Sequence, residues 1–203
     1  MNKNYYIIAD NHWGHKNIIH LCNRPFKDLT EMNETMINNW NKVVKQNDIV
    51  YHLGDLFWND YSARTILPKL NGEIRLILGN HDKRWKQSRK KLMRSPSNPD
   101  SNLIVLDDQI LEIKEPINAV LCHYPLMSWN RAFYGVKHMH GHTHNNNCLS
   151  EGNRINVSVE LTNYAPVNLE IFSNKDSFES FMKEYNNLQV LAACSLQNSV
   201  RSV

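Results

Sequence analysis

Five short clusters of polar residues each stand where a predicted strand ends. In chain order they are Asp10-Asn11-His12, Gly54-Asp55, Gly79-Asn80-His81-Asp82, His123 and Gly141-His142-Thr143-His144. Strand ends point at a common edge, so we expect the side chains that follow them to meet there. The clusters supply carboxylates, an amide and several imidazoles, and this nitrogen and oxygen set suits Zn, Mn or Fe. Together they predict a site for two divalent cations.

The composition predicts one globular domain. The chain has 203 residues, of which 41% are hydrophobic and 21% are charged, and this size and balance suit a single core. The apolar run at residues 5–9 is too short for a signal peptide, and no stretch reaches the roughly 18 apolar residues of a membrane span. The cysteines form no CxxC pair, so we expect reduced thiols in a cytoplasmic protein without membrane contact. They are Cys22, Cys122, Cys148 and Cys194.

The first half of the chain predicts a β-α-β-α-β order, and the second half predicts mostly strands. The first-half strands are predicted at 5–9, 48–53 and 74–78, and the helices at 30–45, with Thr30 as N-cap, and at 62–70. Short β-rich runs separated by turn residues follow at 103–106, 109–113, 118–121, 137–140, 154–160 and 167–172. Asp176 is predicted to N-cap a final helix.

The spacing inside the clusters predicts which side chains share a face. Asp10 and His12 are two residues apart, so in a continuing strand both project to the same side. His142 and His144 repeat this spacing. Asp55 supplies an anionic oxygen that can bridge two cations about 3.5–4 Å apart, as in two-metal hydrolases.

The order of the five clusters resembles that of the calcineurin-like metallophosphoesterase superfamily, with no expected ligand missing. The flanking segments at 14–19, 23–26 and 51–55 resemble the small stand-alone bacterial and phage members. The resemblance runs from about Tyr5 to Phe172. It implies an α/β fold, a four-layer αββα sandwich of two mixed β-sheets flanked by helices. The metallophosphoesterase domain is expected at 1–175, and a C-terminal helix and tail at 176–203 is expected to pack on or trail it.

The resemblance also implies the roles of individual residues. One metal ion is expected to be bound by Asp10, His12, Asp55 and His144, and the second by Asp55, Asn80, His123 and His142. His81 is expected to face the substrate as a catalytic residue, with Asp82 orienting it. We therefore expect a metal-dependent phosphohydrolase with two divalent ions (Mn, Zn or Fe), in which a metal-bridging hydroxide attacks the phosphoester.

The sequence favours a phosphodiester or nucleotide-type substrate, including nucleic acid. Seven basic residues and no acidic one lie between Lys83 and Arg94, directly after the third cluster. This run predicts either an anion-attracting rim or a solvated helix face. A small phosphomonoester is the alternative substrate, and a non-catalytic metal-binding scaffold on the same fold is the alternative function. The sequence leaves the native metal and the oligomeric state open.

Several residues near the clusters have predicted roles of their own. His15, Asn17 and Arg24 follow the first cluster and are predicted substrate contacts; a surface ion pair is the alternative for Arg24. Three further histidines are predicted to be structural: His52, His138 and His140. The loop after His123 is predicted to line the pocket through Trp129, Arg131 and Tyr134.

Overall fold

The structure is a computed structural model that describes residues 3–82, 102–106, 108–145, 152–174, 176–181 and 183. Its strands are β1 (Tyr5–Ile8), β2 (Ile49–His52), β3 (Glu73–Leu76), β4 (Leu103–Val105), β5 (Ile110–Ile113), β6 (Ala119–Cys122), β7 (Lys137–His140), β8 (Arg154–Asn156) and β9 (Val167–Asn168). Its α-helices are α1 (Ile18–Leu21), α2 (Leu29–Val43) and α3 (Asp60–Ile66). The basic run, the 95–101 loop and the tail from 184 onward lie outside the described residues.

The strands form two mixed sheets. The first has the order β4-β3-β2-β1-β9, in which β9 runs antiparallel to β1 and the other pairs are parallel. The second has the order β5-β6-β7-β8, in which β5 is the antiparallel strand. Ile8 pairs with His52, and His52 with Leu76, so β1, β2 and β3 end at one level. The predicted fold class, two mixed sheets flanked by helices, is confirmed.

Alternating residues of β1 face two different cores. Tyr6 and Ile8 belong to the core beneath the helices, whereas Ile7 and Ala9 belong to the core between the sheets. Since successive side chains of a strand point to opposite faces, the apolar run at 5–9 packs on both sides of the sheet. Helix α2 buries Met32, Met36 and Trp40 against the first core; these residues are spaced four apart along one face of the helix.

Two predicted helix starts are corrected by the observed caps. Asp28, not Thr30, caps α2, because its carboxylate accepts the backbone N–H of Glu31 at 2.9 Å. Asn174 accepts the backbone N–H of Ser177 at 3.0 Å, so it occupies the capping position predicted for Asp176. Helical residues 176–181 follow it.

The strands predicted at 154–160 and 167–172 are shorter in the structure, since β8 ends at Asn156 and β9 at Asn168. After β8, the Ala9 N–H donates to Val157 O and the Val159 N–H donates to Ala9 O, so the chain crosses to the end of β1. A 3₁₀ turn at Val159–Leu161 follows this crossing, and another, at Leu169–Phe172, follows β9.

Within the described residues, no helix is long and apolar enough to cross a bilayer.

Replacing Trp40 with alanine should lower the free energy of unfolding by about 3–5 kcal/mol, since it leaves a cavity in the core beneath the helices. Trp40 is fully buried, and its indole N–H donates to Asn71 O at 2.9 Å. Urea denaturation followed by circular dichroism measures the change. Tyr61→Ala, at a side chain that is 77% exposed, is the control and should change stability by less than about 0.5 kcal/mol. Equal effects of the two substitutions would contradict the packing described.

Candidate metal centre

Most of the predicted ligands lie on backbone turns and not on continuing strands. Strand β1 ends at Ile8, and Asp10 and His12 have left-handed φ values of 60° and 50°. Asp55 and both histidines of the last cluster are also left-handed. The extended geometry predicted for Asp10 and His12 is therefore wrong, although their side chains do converge. Left-handed turns cost non-glycine residues energy, and such strain clusters at functional sites.

The turns approach one another closely enough to require glycine. A Cβ on Gly79 would lie 2.2 Å from Asp55 Oδ1, and one on Gly141 would lie 2.4 Å from Asp10 Oδ2. Backbone and ligand carboxylates therefore pack directly against each other, as only glycine permits.

Asp55 occupies the middle of the site. Its Oδ1 accepts the backbone N–H of His81 at 2.9 Å. Its Oδ2 lies 3.5 Å from His12 Nε2 and 3.7 Å from His123 Nε2. Burial raises the pKa of Asp55 to about 6. One carboxylate oxygen thus stands between two imidazole nitrogens that come from different sheets.

A first group of potential ligands surrounds Asp10. Ligand atoms of Asp10, His12 and His144 lie within 4.8 Å of one another. Asp10 Oδ2 accepts the Ser158 hydroxyl at 2.7 Å and the His142 backbone N–H at 2.9 Å. Asp10 Oδ1 and His12 Nε2 are buried without a hydrogen-bond partner among the described residues. Burial also lowers the pKa of His12, which favours the neutral imidazole that binds metals.

A second group lies on the other side of Asp55. Asn80 Oδ1 is 2.9 Å from His123 Nε2 and 3.0 Å from His142 Nδ1. His123 Nδ1 lies 2.7 Å from Leu53 O, so it donates there and leaves Nε2 as the ligand atom. The structure therefore brings together all seven predicted ligands, with Asp55 Oδ2 between His12 and His123 and with ligand atoms of Asp10, Asp55 and His123 within 4.8 Å of one another.

A buried acidic residue that the sequence analysis missed supports His144. Glu160 Oε1 accepts the His144 Nδ1–H at 2.9 Å, which leaves Nε2 of that ring for a cation. The same oxygen accepts Arg24 Nε at 2.9 Å and Nη2 at 2.8 Å. Carboxylates that orient metal-binding histidines in this way are common partners of metal sites. The only sequence signal was an acidic residue inside the apolar run at 157–161.

Arg24 is not available to a substrate, so its predicted substrate contact is wrong. The side chain is fully buried. Beyond its ion pair with Glu160, it donates to Asn11 O at 2.8 Å and to Asp10 O at 2.7 Å. The surface ion pair that was the alternative is also wrong, because the pair is internal. Arg24 instead ties the first cluster to Glu160.

Asp82 contacts backbone amides and not the His81 imidazole. Its Oδ2 accepts the N–H groups of Asp55 at 2.6 Å and Gly79 at 2.9 Å, and its Oδ1 accepts that of Leu56 at 3.3 Å. The carboxylate is fully buried, and burial raises the pKa of Asp82 to about 7. The predicted orienting contact with His81 is therefore replaced by contacts that fix the turns around Asp55.

The predicted substrate-facing residues lie at the surface of the site. His81 is exposed, and its ring centroid is 5.3 Å from that of His12. His15 is half-buried, 5.9 Å from the His12 ring, and stacks on Trp58 at 3.7 Å. Asn17 is exposed at the start of α1. Trp58 carries no motif and was not predicted.

The three histidines predicted to be structural are all buried. His52 Nε2 lies 2.8 Å from Asn11 Oδ1, and His140 Nδ1 lies 2.9 Å from Gly141 O. His138 Nε2 accepts the Leu126 N–H at 3.0 Å. In the loop after His123, the Trp129 indole N–H donates to Val136 O at 2.7 Å, while Arg131 and Tyr134 are exposed. These contacts support the segments that carry the ligands.

Replacing Arg24 with alanine should lower the free energy of unfolding by about 3–5 kcal/mol, since it leaves the Glu160 carboxylate buried without its cation. Chemical denaturation measures the loss. Arg64→Ala is the control, because Arg64 is exposed on α3. A stable Arg24→Ala protein with only a raised KM would restore the substrate-contact hypothesis.

Replacing Glu160 with glutamine should weaken metal binding about 10- to 100-fold, as loss of a partner that orients a ligand does. Isothermal titration calorimetry of the metal-free protein with Mn²⁺ measures the affinity for this metal ion. Glu112→Gln, which changes an exposed glutamate bonded to Asn130, is the matched control. Unchanged Mn²⁺ affinity in a folded Glu160→Gln protein would show that His144 does not need this contact.

The chain is similar to a known family model and to known proteins. The calcineurin-like phosphoesterase family model matches residues 4–186. An uncharacterized protein of Methanocaldococcus jannaschii, MJ1445, is 40% identical over 176 residues, which cover 82% of this chain and 87% of the relative. The Gene 66 protein of Mycobacterium phage L5 is 34% identical over 85 residues, 39% of this chain and 40% of that protein.

A solved structure has a similar fold. The crystal structure of AQ665 from Aquifex aeolicus, a protein of unknown function, superposes with a TM-score of 0.61 at 26% identity. The superposition covers 85% of this chain and 98% of that one. Because the family model spans most of the sequence and the expected clusters converge where strands of the two sheets end, the chain belongs to the calcineurin-like phosphoesterase family of phosphoester hydrolases.

Proposed function

We propose that this protein is a dinuclear-metal-dependent phosphodiesterase. The observation that carries the proposal is Asp55 Oδ2, which lies 3.5 Å from His12 Nε2 and 3.7 Å from His123 Nε2. A carboxylate oxygen between two groups of ligand atoms suits a residue shared by two cations. The first cation would be bound by Asp10, His12, Asp55 and His144, and the second by Asp55, Asn80, His123 and His142.

The charges of the site fit divalent cations. Asp10 and Asp55 are buried, and burial raises the pKa of both carboxyl groups. Two carboxylates in a buried site need a countercharge, and Arg24 is already paired with Glu160. The donor set contains imidazole nitrogens, carboxylate oxygens and one amide oxygen, which suits Mn, Zn or Fe.

Different residues would bind the cations, donate a proton and position the turns of the site. Divalent cations bound here would supply a water of lowered pKa and neutralise the phosphoryl oxygens. As the water oxygen bonds to phosphorus, the bond to the ester oxygen breaks and that oxygen needs a proton. His81 is exposed beside the ligands and is held through its backbone N–H by Asp55 Oδ1, so it is placed to donate that proton. Asp82 acts as a positioning residue for the Asp55 and Gly79 turns.

The proposal includes the class of substrate. A phosphodiester or nucleotide-type substrate remains our hypothesis, and a small phosphomonoester is the alternative. The scaffold hypothesis is disfavoured because all seven ligand positions are filled and their side chains converge. Cytoplasmic location stays a prediction from the sequence.

Replacing His81 with alanine should retain the bound metal and lower kcat for a deoxythymidine dinucleotide, whose alkoxide leaving group needs a proton, about 10²- to 10⁴-fold, the range for loss of a general acid. Asp55→Asn should lose both metal and activity, because it removes the shared ligand. Elemental analysis of the purified proteins measures metal content, and chromatography of the nucleoside and nucleotide released from the dinucleotide with Mn²⁺ measures activity. His20→Ala, at an exposed histidine on α1, is the control and should match the wild type.

Two outcomes would contradict this assignment. Wild-type rates in metal-loaded His81→Ala protein would remove the proposed proton donor. Stoichiometric metal in the wild type, with no hydrolysis of aryl mono- and diesters, nucleotides or single-stranded DNA and RNA, would favour the scaffold.

A further inference from the structure

An accessible aromatic ring lies on each side of the candidate metal centre. Trp58 is half-buried; its ring lies 5.3 Å from that of His81 and stacks on His15 at 3.7 Å with an interplanar angle of 25°. Tyr124 is 41% exposed, and its ring lies 4.9 Å from that of His123 and 4.8 Å from that of His142. Trp58, His15 and Tyr124 are neither predicted ligands nor the predicted proton donor.

The two rings belong to opposite halves of the site. His81 and His15, which contact Trp58, are both neighbours of His12. Tyr124 contacts the two histidines that surround Asn80 Oδ1. Asp55 Oδ2 lies between His12 and His123. A phosphodiester held by the cations proposed beside this oxygen would therefore have Trp58 beyond one end and Tyr124 beyond the other.

The backbone beside each ring is fixed by hydrogen bonds. The Trp58 backbone N–H donates to Trp13 O at 2.9 Å, and the next residue, Asn59, caps α3 through a capping box. Tyr124 directly follows His123, and Leu126 is fixed by its hydrogen bond to the buried His138. A ring that is already ordered loses little conformational entropy when a ligand packs on it.

We propose that Trp58 with His15, and Tyr124 on the opposite side, form two subsites for flat rings, one for each organic group of a phosphodiester. The inference rests on the proposed function and specifies its substrate: a diester that carries a nucleoside on both ester oxygens. A monoester has one organic group and would leave one ring unused. His81 is the proposed proton donor and contacts Trp58, so the leaving group packs at Trp58 and the retained group at Tyr124. Stacking on an aromatic side chain is worth about 1–3 kcal/mol per base.

A steady-state kinetic test of the subsites compares two diesters that differ in the ester group that is retained. Bis(p-nitrophenyl) phosphate carries a ring on both ester oxygens, whereas methyl p-nitrophenyl phosphate carries one only on the leaving group. Trp58→Leu should lower kcat/KM about 5- to 100-fold for both substrates, the range that corresponds to the stacking energy. Tyr124→Leu should cause such a loss only for the bis ester. Tyr61→Leu, at an exposed ring on α3, is the control and should affect neither.

Equilibrium binding tests the subsites without turnover. The metal-loaded His81→Ala protein is titrated with a deoxythymidine dinucleotide and, separately, with dimethyl phosphate, and calorimetry measures each Kd. Adding Trp58→Leu or Tyr124→Leu to it should raise the Kd of the dinucleotide by about 5- to 100-fold. The Kd of dimethyl phosphate, which has no ring, should not change.

Each contrary result has one meaning. If Tyr124→Leu weakened both diesters equally, the ring would merely support His142 and the proposal would be overturned. It would also be overturned if neither substitution changed dinucleotide binding. If the dinucleotide bound as expected but the metal-loaded wild type hydrolysed no phosphoester, the ring subsites would stand and the proposed hydrolysis would fail.

Discussion

The site depends on how closely three backbone turns approach one another where the strands of the two sheets end. The turns are those at Gly54-Asp55, at Gly79 and at His123. A Cβ on Gly79 would lie 2.2 Å from Asp55 Oδ1 and 2.8 Å from Asp55 N, and one on Gly54 would lie 2.5 Å from His123 Nδ1. This closeness lets the single carboxylate of Asp82 accept the backbone N–H groups of both Asp55 and Gly79. The ligand turns are therefore positioned by close backbone packing and by the Asp82 carboxylate, which is how a preorganised site avoids the cost of rearrangement.

The same packing buries four carboxylates, and the structure satisfies them differently. Asp82 is met by three backbone amides, and Glu160 by Arg24 and His144. Asp10 Oδ2 accepts hydrogen bonds, and Asp10 Oδ1 has no hydrogen-bond partner among the described residues. Asp55 Oδ1 accepts a hydrogen bond, and Asp55 Oδ2 faces the imidazoles of His12 and His123. Because buried charge is stable only when it is paired, the unmet negative charge is concentrated where we propose the cations bind.

The sequence predicted the fold class and the candidate ligands that the fold brings together, because both depend on local patterns: apolar runs, and polar clusters where those runs end. It could not predict how the side chains converge, because nothing in the spacing of Asp10 and His12 indicates a left-handed turn. Arg24 was misplaced because its partner, Glu160, is 136 residues away in the chain. Trp58 and Tyr124 were missed because single aromatic residues in turns carry no periodic signal, and only the fold brings them to the metal centre.

The turn formed by the third cluster directs the side chains of Asn80, His81 and Asp82 to three different positions. Asp82 N–H donates to Gly79 O at 3.3 Å, which closes the turn and sends successive side chains in different directions. Asn80 is half-buried against His123 and His142, His81 is exposed, and Asp82 is fully buried. The buried carboxylate fixes the turn, so the exposed imidazole keeps its position beside the ligands. The proposed proton donor thus stays accessible to a leaving group, and its placement follows from the same backbone contacts that position Asp55.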